Sequence, residues 1–180
     1  MKQFDYGKFY PGLVLGTTAM DPMGAIIRAT TAGWQNMFNP NICSHILTVV
    51  KEHDLLYGIE MALPKIREVD LSDYEHSNWG NHLVFAANFI SPTDYESQDK
   101  ANEWLLKCHT IGIKYDFIEL LKFWDDKIRN DPKELICSDL IRNMLEYLKI
   151  TVPVQWDHLV SPYDIQKYAT DNAKLIKWWK

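Results

Sequence analysis

Cysteine is scarce: Cys43, Cys108 and Cys137 are the only three in a chain of 180 residues. An odd, widely spaced set does not make a disulfide framework, and no Cys-x-x-Cys pair is present to begin a zinc site, so the three read as reduced thiols. Positive charge is also in deficit. The formal net charge is -5, and no Lys/Arg run or basic-aromatic stripe exists, which excludes nucleic acid as the expected partner. No apolar run approaches membrane-spanning length, and the start of the chain carries Asp5 and Lys8 where a signal peptide needs an unbroken apolar stretch. The expectation is a soluble, cytoplasmic protein without strong membrane association. Low-complexity tracts and internal repeats are absent as well. What remains is a chain that is 47% hydrophobic, long enough for one well-buried core and too short for two ordinary domains, so residues 1–180 read as a single domain.

Taken in order, residues 12–17 read as a short strand. Asp21-Pro22 reads as the cap and first-turn proline of a short helix over residues 23–30, and residues 33–41 follow as a loop. Two β-rich runs, 42–50 and 55–63, flank the wholly polar Lys51-Glu52-His53-Asp54 and read as a hairpin. Residues 64–70 continue as an irregular strand or loop, residues 71–81 are turn-rich, and residues 82–89 form another strand. A packing helix is expected from Asp94 to Ile111, with Gly112 just past its end. A second apolar helix spans roughly residues 117–128, with Leu120, Leu121 and Trp124 on its buried face. Leu140, Ile141, Met144, Leu145 and Leu148 recur at spacings of three and four, the signature of a core-facing helix after Cys137. Asp131-Pro132-Lys133-Glu134 is a competing start for that helix, and periodicity alone does not choose between the two. Residues 175–180, rich in lysine and tryptophan, read as a docked C-terminal segment in preference to a membrane contact.

These elements bring chemistry together in one way. A thiol at a helix N-terminus meets unpaired N–H groups and a partial positive charge, which stabilise a thiolate. A four-residue hairpin loop sets Val50 opposite Leu55 and therefore His45 opposite Glu60. Directly opposed side chains on one face have Cβ atoms roughly 4.5 to 5.5 Å apart, within reach for a carboxylate to hold an imidazole. Gly58 and Ala62 on that face leave space over the pair, while Ile46, Thr48 and Val50 turn to the core. Cys137, His45 and Glu60 thus meet the requirements of a cysteine hydrolase: an ionisable thiol, a proton acceptor and a group that orients it. The same residue types also suit a core thiol, a strand histidine and its ion partner, and composition leaves both open. Cys43, two residues from His45, is a rival thiol without helix-terminus help. A metal site on His45, His53 and Glu60 has no supporting ligand spacing, so no metal or other cofactor is expected. Trp34, in the loop before the histidine strand, is a candidate groove wall.

The motifs Ser44-His45-Ile46, Ile59-Glu60-Met61-Ala62, Tyr115-Asp116-Phe117 and Ile136-Cys137-Ser138-Asp139-Leu140, in that order, resemble the permuted papain-like cysteine hydrolases of the NlpC superfamily, in the branch typified by YiiX-like bacterial and poxviral proteins. The resemblance runs from about Tyr10 to Pro153. It implies an α+β fold with an antiparallel sheet or partial barrel packed against helices. Cys137 would be the nucleophile, His45 the general base and acid, Glu60 the orienter and Tyr115 a residue near the substrate or oxyanion. It also implies cleavage of a peptide amide, of cell-wall type among family members, or transfer or hydrolysis of a lipid-linked acyl group. A non-catalytic binding or assembly protein with a vestigial site is the alternative from a different class. The chain departs from the family where Leu13 follows Gly12 in place of an aspartate, and where Met61 separates Glu60 from Ala62.

Overall fold

The computed structural model describes residues 3–19, 21–75, 82–115, 134–153, 156 and 160–179. Their secondary structure runs β1 (Val14–Thr18), α1 (Pro22–Ala32), β2 (His45–Glu52), β3 (Leu55–Ala62), β4 (Lys65–Val69), β5 (His82–Ala87), α2 (Tyr95–Ile111), β6 (Lys114–Tyr115), β7 (Glu134–Leu135), α3 (Cys137–Tyr147), α4 (Pro162–Asp171) and β8 (Leu175–Ile176). Short 3-10 turns lie at Tyr6–Lys8, Trp34–Asn36 and Leu71–Tyr74. The class is α+β, with one sheet in the order β7-β6-β4-β3-β2-β1-β5-β8. All neighbours pair antiparallel except β6 and β7. The expected helix over residues 117–128 lies outside the described residues.

Local signals placed several boundaries. The Asp21 carboxylate accepts from the Gly24 N–H at 2.6 Å with Pro22 in the first turn, as the cap-and-proline pattern requires. Asp94 caps α2 through the Ser97 N–H, and Gly112 ends it in the left-handed region at φ 72°. Helix α3 begins at Cys137, with Ile136 as its extended N-cap residue. Glu134 and Leu135 form β7, which rules out the competing start at Asp131.

The sheet is covered on both faces, which explains why β2 is apolar at successive positions rather than alternating. Ile46, Val50, Ile59 and Met61 join Leu105 of α2, Leu140, Ile141 and Met144 of α3, and Ile165 of α4 in one buried cluster. Leu15, Leu47, Val49, Leu71 and Leu83 join Phe4, Phe9 and Trp178 in a second. The Phe4 and Trp178 rings meet edge-on with centroids 5.3 Å apart, and the Asp5 N–H donates to the Trp178 carbonyl at 2.9 Å. The C-terminal segment is thus docked against the N-terminal one.

Three sequence expectations need correction. The hairpin loop is shorter than the four polar residues suggest, because Lys51 and Glu52 remain in β2 and Glu52 pairs with Leu55. His53 and Asp54 form the turn, both with positive φ, 48° and 66°, the backbone that lets a two-residue loop follow the strand twist. Leu47, not His45, therefore lies directly opposite Glu60. The shift is by two positions, so the face is preserved. Residues 65–69, expected as an irregular strand or loop, form a regular β4 with Glu60 opposite Arg67. Gly58 leaves no open space, since a Cβ there would fall 2.6 Å from Leu47 Cδ1 and 2.8 Å from Val69 Cγ2.

The turn makes a direct test of this register. His53 and Asp54 each hold a left-handed conformation that costs a side chain roughly 1 kcal/mol or more. The Lys51–Asp54 bridge at 2.8 Å is exposed and contributes little. The double change His53→Asn, Asp54→Gly is expected to raise unfolding stability by about 1 kcal/mol, read as a higher urea midpoint at an unchanged slope.

Candidate functional site

His45 is the first residue of β2, and Glu60 sits near the end of β3. His45 Nε2 lies 2.7 Å from Glu60 Oε2, a diagonal cross-strand contact rather than the direct one expected. Glu60 is 1% exposed, and a buried carboxylate is tolerated only when its lone pairs are filled. Two further groups fill them. Arg67 donates to Oε1 from Nε at 2.7 Å and from a terminal nitrogen at 2.6 Å. The Tyr74 hydroxyl donates to Oε2 at 2.6 Å. Burial pushes the Glu60 carboxyl up, but His45, Tyr74 and Arg67 outweigh it and bring it down to about 2. The same contact, with burial, pushes the Tyr74 hydroxyl well above its ordinary range.

Cys137 stands close to the imidazole. As the first residue of α3, it has a first-turn N–H without a partner inside the helix. The Ser138 hydroxyl donates to the Val160 carbonyl at 2.6 Å, and the Asp139 carboxylate receives the Ile136 N–H at 3.4 Å and lies 3.3 Å from Arg142. The helix start is therefore pinned from two directions, and the acid beside the thiol is paired. The Cys137 thiol is close enough to the imidazole to act on its charge. Nε2 is committed to Glu60, which leaves Nδ1 as the ring nitrogen available to another partner. Burial works against the imidazolium, yet the Cys137 sulfur and the Glu60 carboxylate outweigh burial and raise His45 to about 10.

Cys43 is also close, but its Sγ donates to the His45 carbonyl at 2.9 Å. Burial pushes that thiol far up, so it stays protonated. Cys108 is raised to about 11, again by burial. His53 lies in the turn at the far end of β2 from His45. No group of three or more His, Cys, Asp or Glu among the described residues is placed to hold a metal ion.

A cavity of about 270 Å³ opens beside the pair. His45, Glu60, Arg67, Tyr74 and Tyr115 make its polar wall, and Met23, Ile27, Met61 and Leu63 much of its apolar one. Tyr115 arrives through β6, its N–H donating to the Pro64 carbonyl at 3.1 Å. Cys137, 3% exposed, is not among the described lining residues. Trp34 is not there either; it projects into solvent at 71% exposure. Sequence reasoning missed Arg67 and Tyr74. The signal for Arg67 was the Lys65-Ile66-Arg67 alternation after a tight turn, which puts Arg67 opposite Glu60. Tyr74 had no local signal, because it reaches the carboxylate from a 3-10 turn.

The linked groups have opposite pH signatures. Glu60 is depressed in the folded state, so its contribution is complete above its ordinary value of 4.5 and is lost as pH falls through about 2. His45 is raised, so its contribution is complete below 6.5 and is lost as pH rises through about 10. Glu60→Gln is expected to cost roughly 3 kcal/mol at neutral pH, because it breaks a buried pair. The deficit should shrink as pH is lowered toward 2, and the His45 titration followed by NMR should move down.

No family model matches this chain, and no curated protein matches it significantly. Among the described residues no helix is long and apolar enough to cross a membrane.

Proposed function

We propose that the protein is a cysteine acyl hydrolase that cleaves an amide, of peptide type, through Cys137, His45 and Glu60 on a permuted papain-like domain. One observation carries this reading: Cys137 opens a helix beside an imidazole whose Nε2 is held by a buried carboxylate. A core thiol needs no such arrangement. Cys43, whose Sγ donates to a backbone carbonyl, is what a structural thiol looks like.

With His45 raised to about 10, the imidazole carries a proton at neutral pH and cannot accept one in the first step. The proposed reaction starts from Cys137 as a thiolate beside that imidazolium. The Cys137 Sγ attacks the acyl carbon, the carbonyl π electrons move to oxygen, and the N–H groups opening α3 receive the developing oxyanion. As the tetrahedral species collapses, the C–N bond breaks and the imidazolium gives its proton to the departing amine. That leaves a thioester on Cys137 and a neutral imidazole. His45 then takes a proton from water as the hydroxyl oxygen bonds to the acyl carbon, and the C–S bond breaks to release the acid. Glu60 holds the ring and balances its charge. Tyr115, on the cavity wall, is assigned to contact substrate.

The apolar lining by Met23, Ile27, Met61 and Leu63 supports a second reading within the same chemistry, an acyl ester or lipid amide as substrate and an alcohol or amine as the alternative acceptor. The burial of Cys137 supports the contrary case, a binding protein with a vestigial site. Thiol labelling separates the classes. Iodoacetamide near neutral pH is expected to modify Cys137 ahead of Cys43 and Cys108, and His45→Ala should abolish that preference; slow, equal labelling of all three would exclude the enzyme. Against peptide amides, peptidoglycan fragments and phospholipids, any product should disappear in Cys137→Ala. In His45→Ala, kcat/KM should fall about a thousandfold or more. Activity should decline as pH rises through about 10, where His45 loses its proton.

A further inference from the structure

Between Pro22 and Ser44 the chain has a single charged side chain, Arg28, and it is 0% exposed. Past its exposed capping residue Asp21, which lines the cavity, the solvent-facing side of α1 and of the loop after it is therefore uncharged. Yet this stretch exposes Met23 and Ile26 at 40%, Trp34 at 71% and Phe38 at 73%. Met23 also lines the cavity, as does Leu63, which is 57% exposed. Apolar side chains thus sit in solvent at the opening.

The loop is held in place. Buried Arg28 donates from Nε to the Met37 carbonyl at 2.8 Å, and from one terminal nitrogen to Thr18 Oγ1 and the Ala19 carbonyl, both at 2.6 Å. Asn36 donates to the Ala32 carbonyl at 2.7 Å. A guanidinium buried at such desolvation cost ties the loop carrying Trp34 and Phe38 to the end of β1, and Asn36 ties it to the end of α1. The aromatic rings are consequently presented, not folded back.

We propose that this lip is a docking surface for the headgroup layer of a zwitterionic phospholipid bilayer, seating the cavity mouth at the membrane–water interface. Trp and Phe partition to that depth, and the uncharged, exposed amide of Gln35 can bond to headgroups there. A zwitterionic layer has no net charge to match, which suits a surface with none. A protein of net charge -5 is repelled from an anionic one. The inference concerns a reversible surface contact and needs no membrane-spanning segment. It gives Trp34 a role outside the groove, and the apolar cavity lining then faces the source of acyl chains. Its link to lipid substrates rests on the acyl-hydrolase reading, but the docking does not.

Co-sedimentation with phosphatidylcholine vesicles tests it. The wild-type chain is expected to partition onto them with little dependence on salt. Trp34→Ser, Phe38→Ser is expected to partition about tenfold less or worse while keeping the wild-type Tm, and Cys137→Ala should bind as wild type. If the double variant fails to fold, Ile26→Gln on the solvent side of α1 reads the same surface. No binding by the wild type, undiminished binding by the folded variants, or binding only to phosphatidylserine vesicles that salt abolishes would each overturn the proposal. So would a wild-type dimer that Trp34→Ser, Phe38→Ser dissociates, since the lip would then join two copies of this chain. Vesicle binding retained in Cys137→Ala alongside a wild type inactive on every acyl substrate would refute the hydrolase reading and leave the docking surface standing.

Discussion

A carboxylate buried to 1% exposure is the constraint on which the rest of the site depends. Glu60 would cost the fold several kcal/mol if left unpaired, and each neighbouring element supplies part of the compensation. β2 brings His45, β4 brings Arg67, and the 3-10 turn after β4 brings the Tyr74 hydroxyl. The three are not equivalent. Arg67 is more than half exposed and neutralises charge from the solvent side. Tyr74, held protonated by the contact, donates without adding charge. His45 brings a second ring nitrogen, Nδ1, that the carboxylate does not use. The carboxylate therefore fixes the imidazole's orientation, and the two donors behind it keep the carboxylate from moving.

The pairing of His45 with Glu60 was legible in the sequence, although the register behind it was not. Counting four polar residues as the loop treated Lys51 and Glu52 as turn, whereas their backbone continues the ladder and leaves His53 and Asp54 to turn in the left-handed region. Hairpin faces repeat every second residue, so an error of two exchanged a direct neighbour for a diagonal one and kept both side chains together. An error of one would have separated them. Caps were legible for a similar reason: Asp21, Asp94 and Gly112 act on backbone within four residues of themselves. Nonlocal pairings were not. Tyr74 meets Glu60 from a separate turn, and the second sheet face is closed by Phe4, Phe9 and Trp178 from opposite ends of the chain. No local pattern encodes such meetings, so the Glu60 face read as open when most of it is core.

The two thiols near His45 differ in backbone position. Cys43 lies just before β2, surrounded by sheet core, and its Sγ donates to the His45 carbonyl. Every influence of burial there opposes charge. Cys137 is nearly as buried, but it occupies the one place on its helix where backbone dipoles favour negative charge, and the acid nearest it, Asp139, is engaged by Arg142 and by the Ile136 N–H. Burial then has a different consequence. In a low-dielectric setting an opposed pair of charges attracts more strongly than in water, so in the proposed reaction the same burial would strengthen a thiolate–imidazolium pair. The cavity beside His45, with Met23, Ile27, Met61 and Leu63 in its wall, is the route that the proposed hydrolase reading assigns to an acyl group.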